Sequence, residues 1–236
     1  MSNTYFQFKQ FRIEQDKCAM KVTTDACIQG AWTPVLPIVK RVLDIGTGTG
    51  LLSLMLAQRS PDIIVDAIEF DKAATDQAAE NISASPWSDR IKVVEADARD
   101  YVTEDKYDLI ITNPPFFNNS LLGERENRNN ARHTLSLTYT ELLNAISANL
   151  SDDGYCSILL PHAEYIQWTE LLSGSSFQEI ERLSVSHAPN APAKRVVGLF
   201  SKMGAVKKEH ALMIKGNDNC YTQAFIDLLS PFYLDL

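Results

Sequence analysis

From Arg41 onward, short apolar runs alternate with segments whose apolar residues recur at helical spacing. Strands are predicted over 42–45, 63–68, 91–95, 108–112 and 155–160, each a short and mostly apolar run. Helices are predicted between or after them, over 50–58, 72–84, 138–150 and 163–172. This alternation predicts an α/β fold in which helices cover both faces of a mostly parallel sheet.

Both ends of the chain depart from this alternation. Strands predicted over 177–185 and 196–202 are separated by the turn-forming run Pro189-Asn-Ala-Pro192, which predicts an antiparallel hairpin. A short strand over 210–214 and a helix over 221–229 are expected after it. About 40 residues precede the first predicted strand, and within them Thr23-Thr24-Asp25 predicts the start of a helix near Ala26.

Composition narrows the class of protein. The 236 residues, 45% hydrophobic and 22% charged, predict one soluble domain over 1–236. The chain shows no signal-peptide core and no apolar run of membrane-spanning length, and its four cysteines form no CxxC pair. We therefore expect a cytoplasmic protein with reduced thiols, no membrane contact and no metal site. The net charge of −8 disfavours a nucleic-acid partner. Salt screens charges more than about 8 Å apart, however, so a local basic patch can bind nucleic acid despite distant acidic residues.

A glycine-rich turn follows the strand over 42–45, in Asp44-Ile-Gly46-Thr-Gly48-Thr-Gly50. Glycines at a strand-to-helix turn let a ligand approach the backbone closely. The spacing G-x-G-x-G differs from the G-x-G-x-x-G of dinucleotide sites, which disfavours a nicotinamide oxidoreductase. No Lys-Ser/Thr pair follows, so a P-loop is excluded. The pattern resembles motif I of the class I methyltransferases that bind S-adenosylmethionine.

Acidic residues end the next two strands. Glu69 stands nineteen positions past Gly50, where a carboxylate can accept hydrogen bonds from ribose hydroxyls, with Asp71 as the alternative. Asp97 follows the third strand, and the resemblance implies that it accepts from the adenine amine of the cofactor. Each acid taken alone has a simpler explanation. Asp44 could stabilise a turn, Glu69 could be a surface residue, and Asp97 could form an Asx-turn. Three acids ending three successive strands, beside a glycine loop, favour a cofactor pocket.

The fourth strand ends in Asn113-Pro114-Pro115-Phe116. The lone pair of an exocyclic aromatic amine is delocalised into its ring, so such an amine is a poor nucleophile. Two acceptors on its hydrogens, the Asn113 side-chain oxygen and the Pro114 carbonyl, localise that lone pair, while Phe116 offers a stacking surface. The prolines stiffen the backbone that carries both acceptors. The motif therefore predicts methylation of a planar amine.

The tetrapeptide resembles motif IV of amino-methyltransferases, which act on adenine N6, guanine N2 or glutamine N5. Nearly the whole chain is similar to the bacterial tRNA1(Val) adenine-N6 methyltransferase family, through Phe6-x-Phe8-x-x-Phe11, Gln15 to Asp25, Gly30-Ala-Trp32, Ala131-Arg132-His133 and Lys194-Arg195-Val196. The resemblance implies a Rossmann-like class I methyltransferase with a mostly parallel seven-stranded sheet and an antiparallel late strand. It implies S-adenosyl-L-methionine as cofactor and the adenine on the 3′ side of the anticodon as target.

Site residues follow from the motifs and from this resemblance. The catalytic set is Asn113, Pro114, Pro115 and Phe116. The cofactor-binding set is Asp44, Gly46, Gly48, Gly50, Glu69, Asp97, Ala98 and Thr24. Basic residues expected to contact the anticodon region of tRNA are Arg125, Arg128, Arg132, His133, Lys194 and Arg195. We expect a monomer in which the extension 1–40 packs on the cofactor and substrate side.

Four other functions are weighed against this one. Enzymes that methylate guanine N2 of ribosomal RNA are usually longer, with a duplicated partner domain. Enzymes that methylate glutamine N5 of a protein typically carry an N-terminal helical domain and Tyr in place of Phe116. DNA adenine methylation needs a target-recognition segment, for which the chain has no room. An RNA-binding module without catalysis would give Asn113 no evident task.

Overall fold

The structure is a computed structural model that describes residues 3–114, 137–204 and 207–236. In chain order its elements are β1 (Tyr5–Gln7), β2 (Arg12–Glu14), α1 (Thr24–Trp32), β3 (Arg41–Ile45), α2 (Leu51–Arg59), β4 (Ile64–Glu69), α3 (Lys72–Ser83), β5 (Ile91–Glu95), β6 (Tyr107–Thr112), α4 (Tyr139–Asn149), β7 (Leu150–Pro161), α5 (His162–Leu172), β8 (Gln178–Ser186), β9 (Arg195–Ser201), β10 (Lys208–Met213) and α6 (Gln223–Leu229). Every strand and helix expected from the sequence is present. Their ends differ by one or two residues, except that β7 begins five residues earlier than predicted.

The main sheet has the strand order β10-β8-β9-β7-β6-β3-β4-β5. Strand β9 runs antiparallel to both of its neighbours, which confirms the hairpin predicted around Pro189-Asn-Ala-Pro192. The other neighbouring strands are parallel. The expected count of seven strands is too low by one, because β10 pairs in parallel with β8 and extends the sheet at that edge. An edge strand that is mostly exposed gives a weak apolar pattern, so its pairing could not be predicted from periodicity.

Two hydrophobic clusters lie on opposite faces of this sheet. Val42 of β3 contributes to the cluster that contains α1 and α2, whereas Leu43 and Ile45 contribute to the cluster that contains α4 and α5. Successive side chains of a strand point to opposite faces, so a strand covered on both sides needs apolar residues at nearly every position. This requirement explains why β3, β6 and residues 155–160 of β7 read as mostly apolar runs.

The extension before β3 contains a hairpin that the sequence did not predict. Strands β1 and β2 pair antiparallel. The Phe6 and Phe8 rings are tilted with centroids 4.7 Å apart, and the Phe8 and Phe11 rings are stacked with centroids 4.5 Å apart. Phe8 also bridges to Tyr233, close to the chain's end. Each strand has three residues, too few to show an alternating pattern, and the hairpin is held mainly by tertiary contacts.

No helix within the described residues is both long and apolar enough to cross a membrane.

Candidate active site

Sheet order brings the predicted motifs together. Strands β6, β3, β4 and β5 are consecutive neighbours and parallel, so their carboxyl ends share one edge of the sheet. Asn113, the glycine loop, Glu69 and Asp97 follow these four strands and therefore lie side by side. Crevices at the carboxyl ends of parallel strands are where open α/β sheets bind ligands.

The glycine loop has a backbone that favours glycine at three positions. Gly46, Gly48 and Gly50 have φ angles of +69°, +56° and +83°. A Cβ atom on Gly46 or Gly48 would meet nothing within 4 Å, so open space borders the loop there. At Gly50 a Cβ would lie 3.3 Å from the Ile82 side chain of α3. The loop thus presents bare backbone to the crevice and packs closely against α3.

Asp44 lies beneath this loop and has no solvent exposure. Its Oδ2 atom accepts hydrogen bonds from Thr47 Oγ1 at 2.6 Å and Ser53 Oγ at 2.7 Å. Its Oδ1 atom is buried and has no donor among the described residues. Burial raises the pKa of this carboxyl to about 6, although the two hydroxyls oppose that rise. Asp44 therefore braces the loop from within, and its predicted contact with the cofactor stays a prediction.

Glu69 lies against the outer side of the same loop. Its Oε2 atom accepts from the Gly48 amide at 3.0 Å, and Oε1 accepts from the amides of Phe70 and Asp71 at 2.9 and 3.0 Å. The residue is half-buried, so lone pairs remain accessible from the crevice. Asp71, the alternative for the ribose, caps α3 by accepting from the Ala74 amide. That role favours Glu69 for the ribose.

Two further features of this edge bear on the adenine of the cofactor. Asp97 accepts from the Arg99 amide at 2.9 Å, which is an Asx-turn, and its Oδ2 lies 2.5 Å from Arg99 Nη2. The guanidinium holds the pKa of Asp97 below its usual value. Ala98 lies between them and is half-buried, so a ligand would share Asp97 with Arg99. The half-exposed ring of Phe70, which the sequence did not single out, stands beside Glu69.

Asn113 is held at the end of β6 by contacts to its neighbour. The Thr112 hydroxyl donates to the Ile45 carbonyl at 2.9 Å, and Gln29 Nε2 donates to the Thr112 carbonyl at 2.9 Å. The Asn113 Nδ2 atom lies 3.8 Å from Met20 Sδ. Its Oδ1 atom is buried and has no donor within the described ranges. Pro114 is buried beside it, whereas Pro115 and Phe116 lie outside the described residues.

The predicted substrate residues fall into two groups. Arg195 is the first residue of β9, and Lys194 directly precedes it. Arg195 pairs with Pro161 at the carboxyl end of β7, so both basic residues lie at the same edge as Asn113. Arg195 Nε is 3.1 Å from Asp25 Oδ2, near the start of α1. Burial raises the pKa of Asp25 despite this cation. The second group lies outside the described residues, namely Arg125, Arg128, Arg132 and His133.

Thr24, predicted to belong to the cofactor-binding set, is the first residue of α1. Thr23 caps the helix by accepting from the Ala26 amide, as the sequence indicated. Burial raises the pKa of Tyr233, and an interaction with the Thr24 side chain opposes that rise. Contact of Thr24 with the cofactor stays a prediction.

Buried polar residues on two helices were missed by sequence reasoning. Gln29 on α1 reaches the Thr112 carbonyl, and Asn81 on α3 reaches the glycine loop through the Thr49 carbonyl at 2.9 Å. Both side chains are almost entirely buried, with exposures of 0% and 2%. The only sequence signal was Gln29 among the apolar residues of α1, whereas α3 also buries Thr75 and Gln77 beside Asn81. The hydrogen-bond partners of Gln29 and Asn81 are distant backbone atoms, which local sequence does not indicate.

Known proteins are similar to this chain in sequence or in fold. Residues 33–135 match the family described as Methyltransferase small domain. A tRNA1(Val) (adenine(37)-N6)-methyltransferase of Bacteroides fragilis is 43% identical over 239 residues, covering 100% of both chains. The Tolumonas auensis protein of that name is 43% identical over 99% of this chain and 98% of its own. A solved structure, a predicted O-methyltransferase from Agrobacterium tumefaciens, is 19% identical with a TM-score of 0.68, covering 88% of this chain and 96% of its own, which shows the fold alone.

The glycine loop, the acids beside it and Asn113-Pro114 on this sheet define a class I S-adenosylmethionine-dependent methyltransferase. Open space at Gly46 and Gly48 and the accessible carboxylate of Glu69 fit that cofactor. The full-length similarity places the chain in the tRNA1(Val) (adenine(37)-N6)-methyltransferase family. The predicted fold class, family and methyl donor are thereby confirmed. The described residues contain no cluster of three or more potential metal ligands.

Proposed function

We propose that this protein transfers the methyl group of S-adenosylmethionine to N6 of an adenine in tRNA, the adenine 3′ of the anticodon in a valine tRNA. Its relatives carry that activity in their names and match this chain from end to end. The observation that carries the proposal is the buried Oδ1 atom of Asn113, which has no donor in the described part of the chain. A buried acceptor without a donor costs roughly 1–3 kcal/mol, and a substrate amine would supply that donor.

The chain's own residues activate the amine by accepting its hydrogens. Asn113 Oδ1 and the Pro114 carbonyl each accept a hydrogen bond from one N6 hydrogen, which localises the nitrogen lone pair toward the incoming methyl group. Once the new N–C bond has formed, N6 releases one proton to water. These acceptors are fixed before the substrate arrives, so little reorganisation accompanies the reaction. The bond from Gln29 to the Thr112 carbonyl and the bond from Thr112 to Ile45 fix the peptide that precedes Asn113. Phe116 is the proposed stacking surface.

The cofactor's sulfonium supplies an electrophilic methyl group when it is bound. Glu69 would hold its ribose, the backbone of the glycine loop would approach its methionine portion, and Asp97 and Phe70 would face its adenine. Asn113 and the glycine loop follow adjacent strands, β6 and β3, so donor and acceptor are brought together by the sheet itself. Positioning of this kind is a main source of rate in group transfer.

The target base must leave its stack to reach Asn113. An anticodon loop offers such a base at low unstacking cost, because its nucleotides are single-stranded. Lys194 and Arg195 lie at the same edge as Asn113 and would contact phosphates beside the extruded base. Arg125, Arg128, Arg132 and His133 remain proposed contacts to the RNA. We place the protein in the cytoplasm and propose that it acts as a monomer.

Labelled S-adenosylmethionine and bulk tRNA from cells that lack this gene provide the direct test. We expect nucleoside mass spectrometry to show N6-methyladenosine with the wild-type protein and its loss with Asn113→Ala. Sequencing of the labelled tRNA should then place the methyl group beside the anticodon of a valine tRNA.

Parallel reactions with ribosomal RNA and with a release factor cover the competing substrates. Label in ribosomal RNA as N2-methylguanosine, or in protein as N5-methylglutamine, would replace the proposed substrate while leaving the fold and the cofactor in place. Binding of cofactor and RNA without any methylated product would instead identify an RNA-binding module.

A further inference from the structure

Asn81 is buried at the contact of three separate segments. From α3 its Oδ1 atom accepts from the Glu14 amide at 2.8 Å, and its Nδ2 atom donates to the Glu14 carbonyl at 2.9 Å. The second Nδ2 hydrogen is donated to the Thr49 carbonyl at 2.9 Å. Thr49 lies within the glycine loop between Gly48 and Gly50. One amide group therefore joins the N-terminal extension, α3 and the loop proposed to hold the cofactor.

The Glu14 backbone, to which Asn81 is hydrogen-bonded, begins a segment that leads to the edge of the sheet where Asn113 lies. We name residues 14–22 the strap. One helical turn before Asn81, Gln77 Oε1 accepts from the Lys17 amide at 2.7 Å, and it is 1% exposed. Further along the strap, Met20 Sδ lies 3.8 Å from Asn113 Nδ2. The strap thus runs from α3 to the residue proposed to receive the substrate amine.

The strap is also closed on itself. Gln15 Oε1 accepts from the Val22 amide at 2.9 Å, and Gln15 is 4% exposed. This bond joins the two ends of the strap, so the positions of Glu14 and Met20 are linked by a closed loop of chain. Gln77 and Asn81 stand four residues apart on one face of α3, and both hold the strap by its backbone.

Only Asn81 of this pair also reaches the glycine loop. Gln77 bonds to the Lys17 amide and to Asp16 Oδ1 at 3.3 Å, both of which belong to the strap. Thr49 is 5% exposed, so its carbonyl has little access to water if the Asn81 amide is removed. The close packing of Gly50 against Ile82 leaves the loop few other ways to adjust.

We propose that Asn81 is a positioning residue that fixes the glycine loop relative to the N-terminal strap and thereby sets the affinity for the cofactor. It does so without touching the cofactor, by holding the Thr49 carbonyl and the Glu14 peptide in one fixed arrangement. The same arrangement keeps the loop in register with the strap that contacts Asn113. This inference rests on the proposed role of the glycine loop and adds a residue outside the sequence motifs.

Calorimetric titration of the full chain with S-adenosylhomocysteine tests the proposal. Loss of one buried hydrogen bond that orders the loop should raise the Kd in Asn81→Ala roughly tenfold. Asn81→Asp keeps the acceptor for the Glu14 amide but loses both donors, so a similar rise is expected. Gln77→Ala loosens the strap alone and should change the Kd by about twofold or less. Thermal melts and far-UV circular dichroism of each variant report folding separately.

Equal loss of thermal stability in Asn81→Ala and Gln77→Ala, with the Kd of both at the wild-type value, would overturn the proposal. If Asn81→Ala does not fold, the Kd of Asn81→Asp decides on the same criterion. Failure of the wild-type protein to bind S-adenosylhomocysteine would overturn the cofactor assignment together with this inference. The two failures are therefore distinguishable.

Discussion

Replacing Asp44 by asparagine should make the protein without cofactor more stable at neutral pH. The carboxyl is fully buried, and its Oδ2 atom accepts from Thr47 and Ser53 at 2.6 and 2.7 Å. An asparagine amide has nearly the same shape, and its oxygen can accept the same two hydroxyl hydrogens. The substitution therefore removes a buried negative charge while keeping the two hydroxyl hydrogen bonds to the remaining oxygen.

The size of this effect follows from the pKa of Asp44. Burial raises that pKa from 3.8 to about 6, so ionisation of Asp44 disfavours the folded state. Well below pH 3.8 the group is protonated in both states and this cost is absent; as pH rises from 3.8 to about 6 the stability falls. At about 1.4 kcal/mol for each pH unit, the full cost reaches about 3 kcal/mol above pH 6.

Urea unfolding of wild type and Asp44→Asn at several pH values between 4.5 and 7.5 measures this cost. We expect the advantage of the variant in free energy of unfolding to grow from about 1 kcal/mol at the acid end to about 3 kcal/mol at pH 7.5. Asp153→Asn, at an exposed position, makes the same change in net charge and serves as the control. An advantage that does not vary with pH, or a variant less stable than wild type at pH 7.5, would refute the reasoning.

Three further predictions concern the catalytic edge. Asn113→Ala should lower the single-turnover rate of methylation by roughly 10²–10³, with cofactor affinity nearly unchanged; a large loss of S-adenosylhomocysteine binding in calorimetry would contradict this division of roles. Glu69→Ala should raise the Kd for S-adenosylhomocysteine at least about tenfold, because the ribose loses its acceptor and the Gly48 amide loses its hydrogen-bond partner. The control is Asp71→Ala, which removes the N-cap of α3. It should lower the melting temperature with a smaller change in Kd. Gly48→Ala meets no steric obstacle but places alanine at a φ of +56°, which should cost about 1 kcal/mol and lower the melting temperature by about 2–4 °C; an unchanged melt would show that the loop relaxes.

The strand and helix pattern of the central fold was readable from the sequence because both faces of the sheet are covered. Strands such as β3 and β6 need apolar residues at nearly every position, and these residues form apolar runs that can be recognised in the sequence. The pairing of the β1–β2 hairpin and of the edge strand β10, by contrast, could not be recognised in the sequence. They are short or exposed, and their pairing depends on partners distant in the chain, so local periodicity could not predict it.

The motifs by themselves determined the candidate chemistry of the site. Asp44 to Gly50, Glu69, Asp97 and Asn113-Pro114 each follow a predicted strand, and parallel strands place their carboxyl ends together. Residue type and position within the α/β pattern were therefore enough to assemble a cofactor pocket beside an amine-binding motif. This inference required no knowledge of side-chain contacts.

Only the tertiary structure decided which task each side chain performs at that edge. Asp44 turned out to brace the loop from beneath, Asp71 to cap α3, and Asp97 to share its carboxylate with Arg99. The roles of Gln29 and Asn81 were invisible in the sequence, because each bonds to backbone atoms more than thirty residues away. A motif fixes which atoms reach an edge of the sheet, whereas the direction of each lone pair depends on neighbours that only folding supplies.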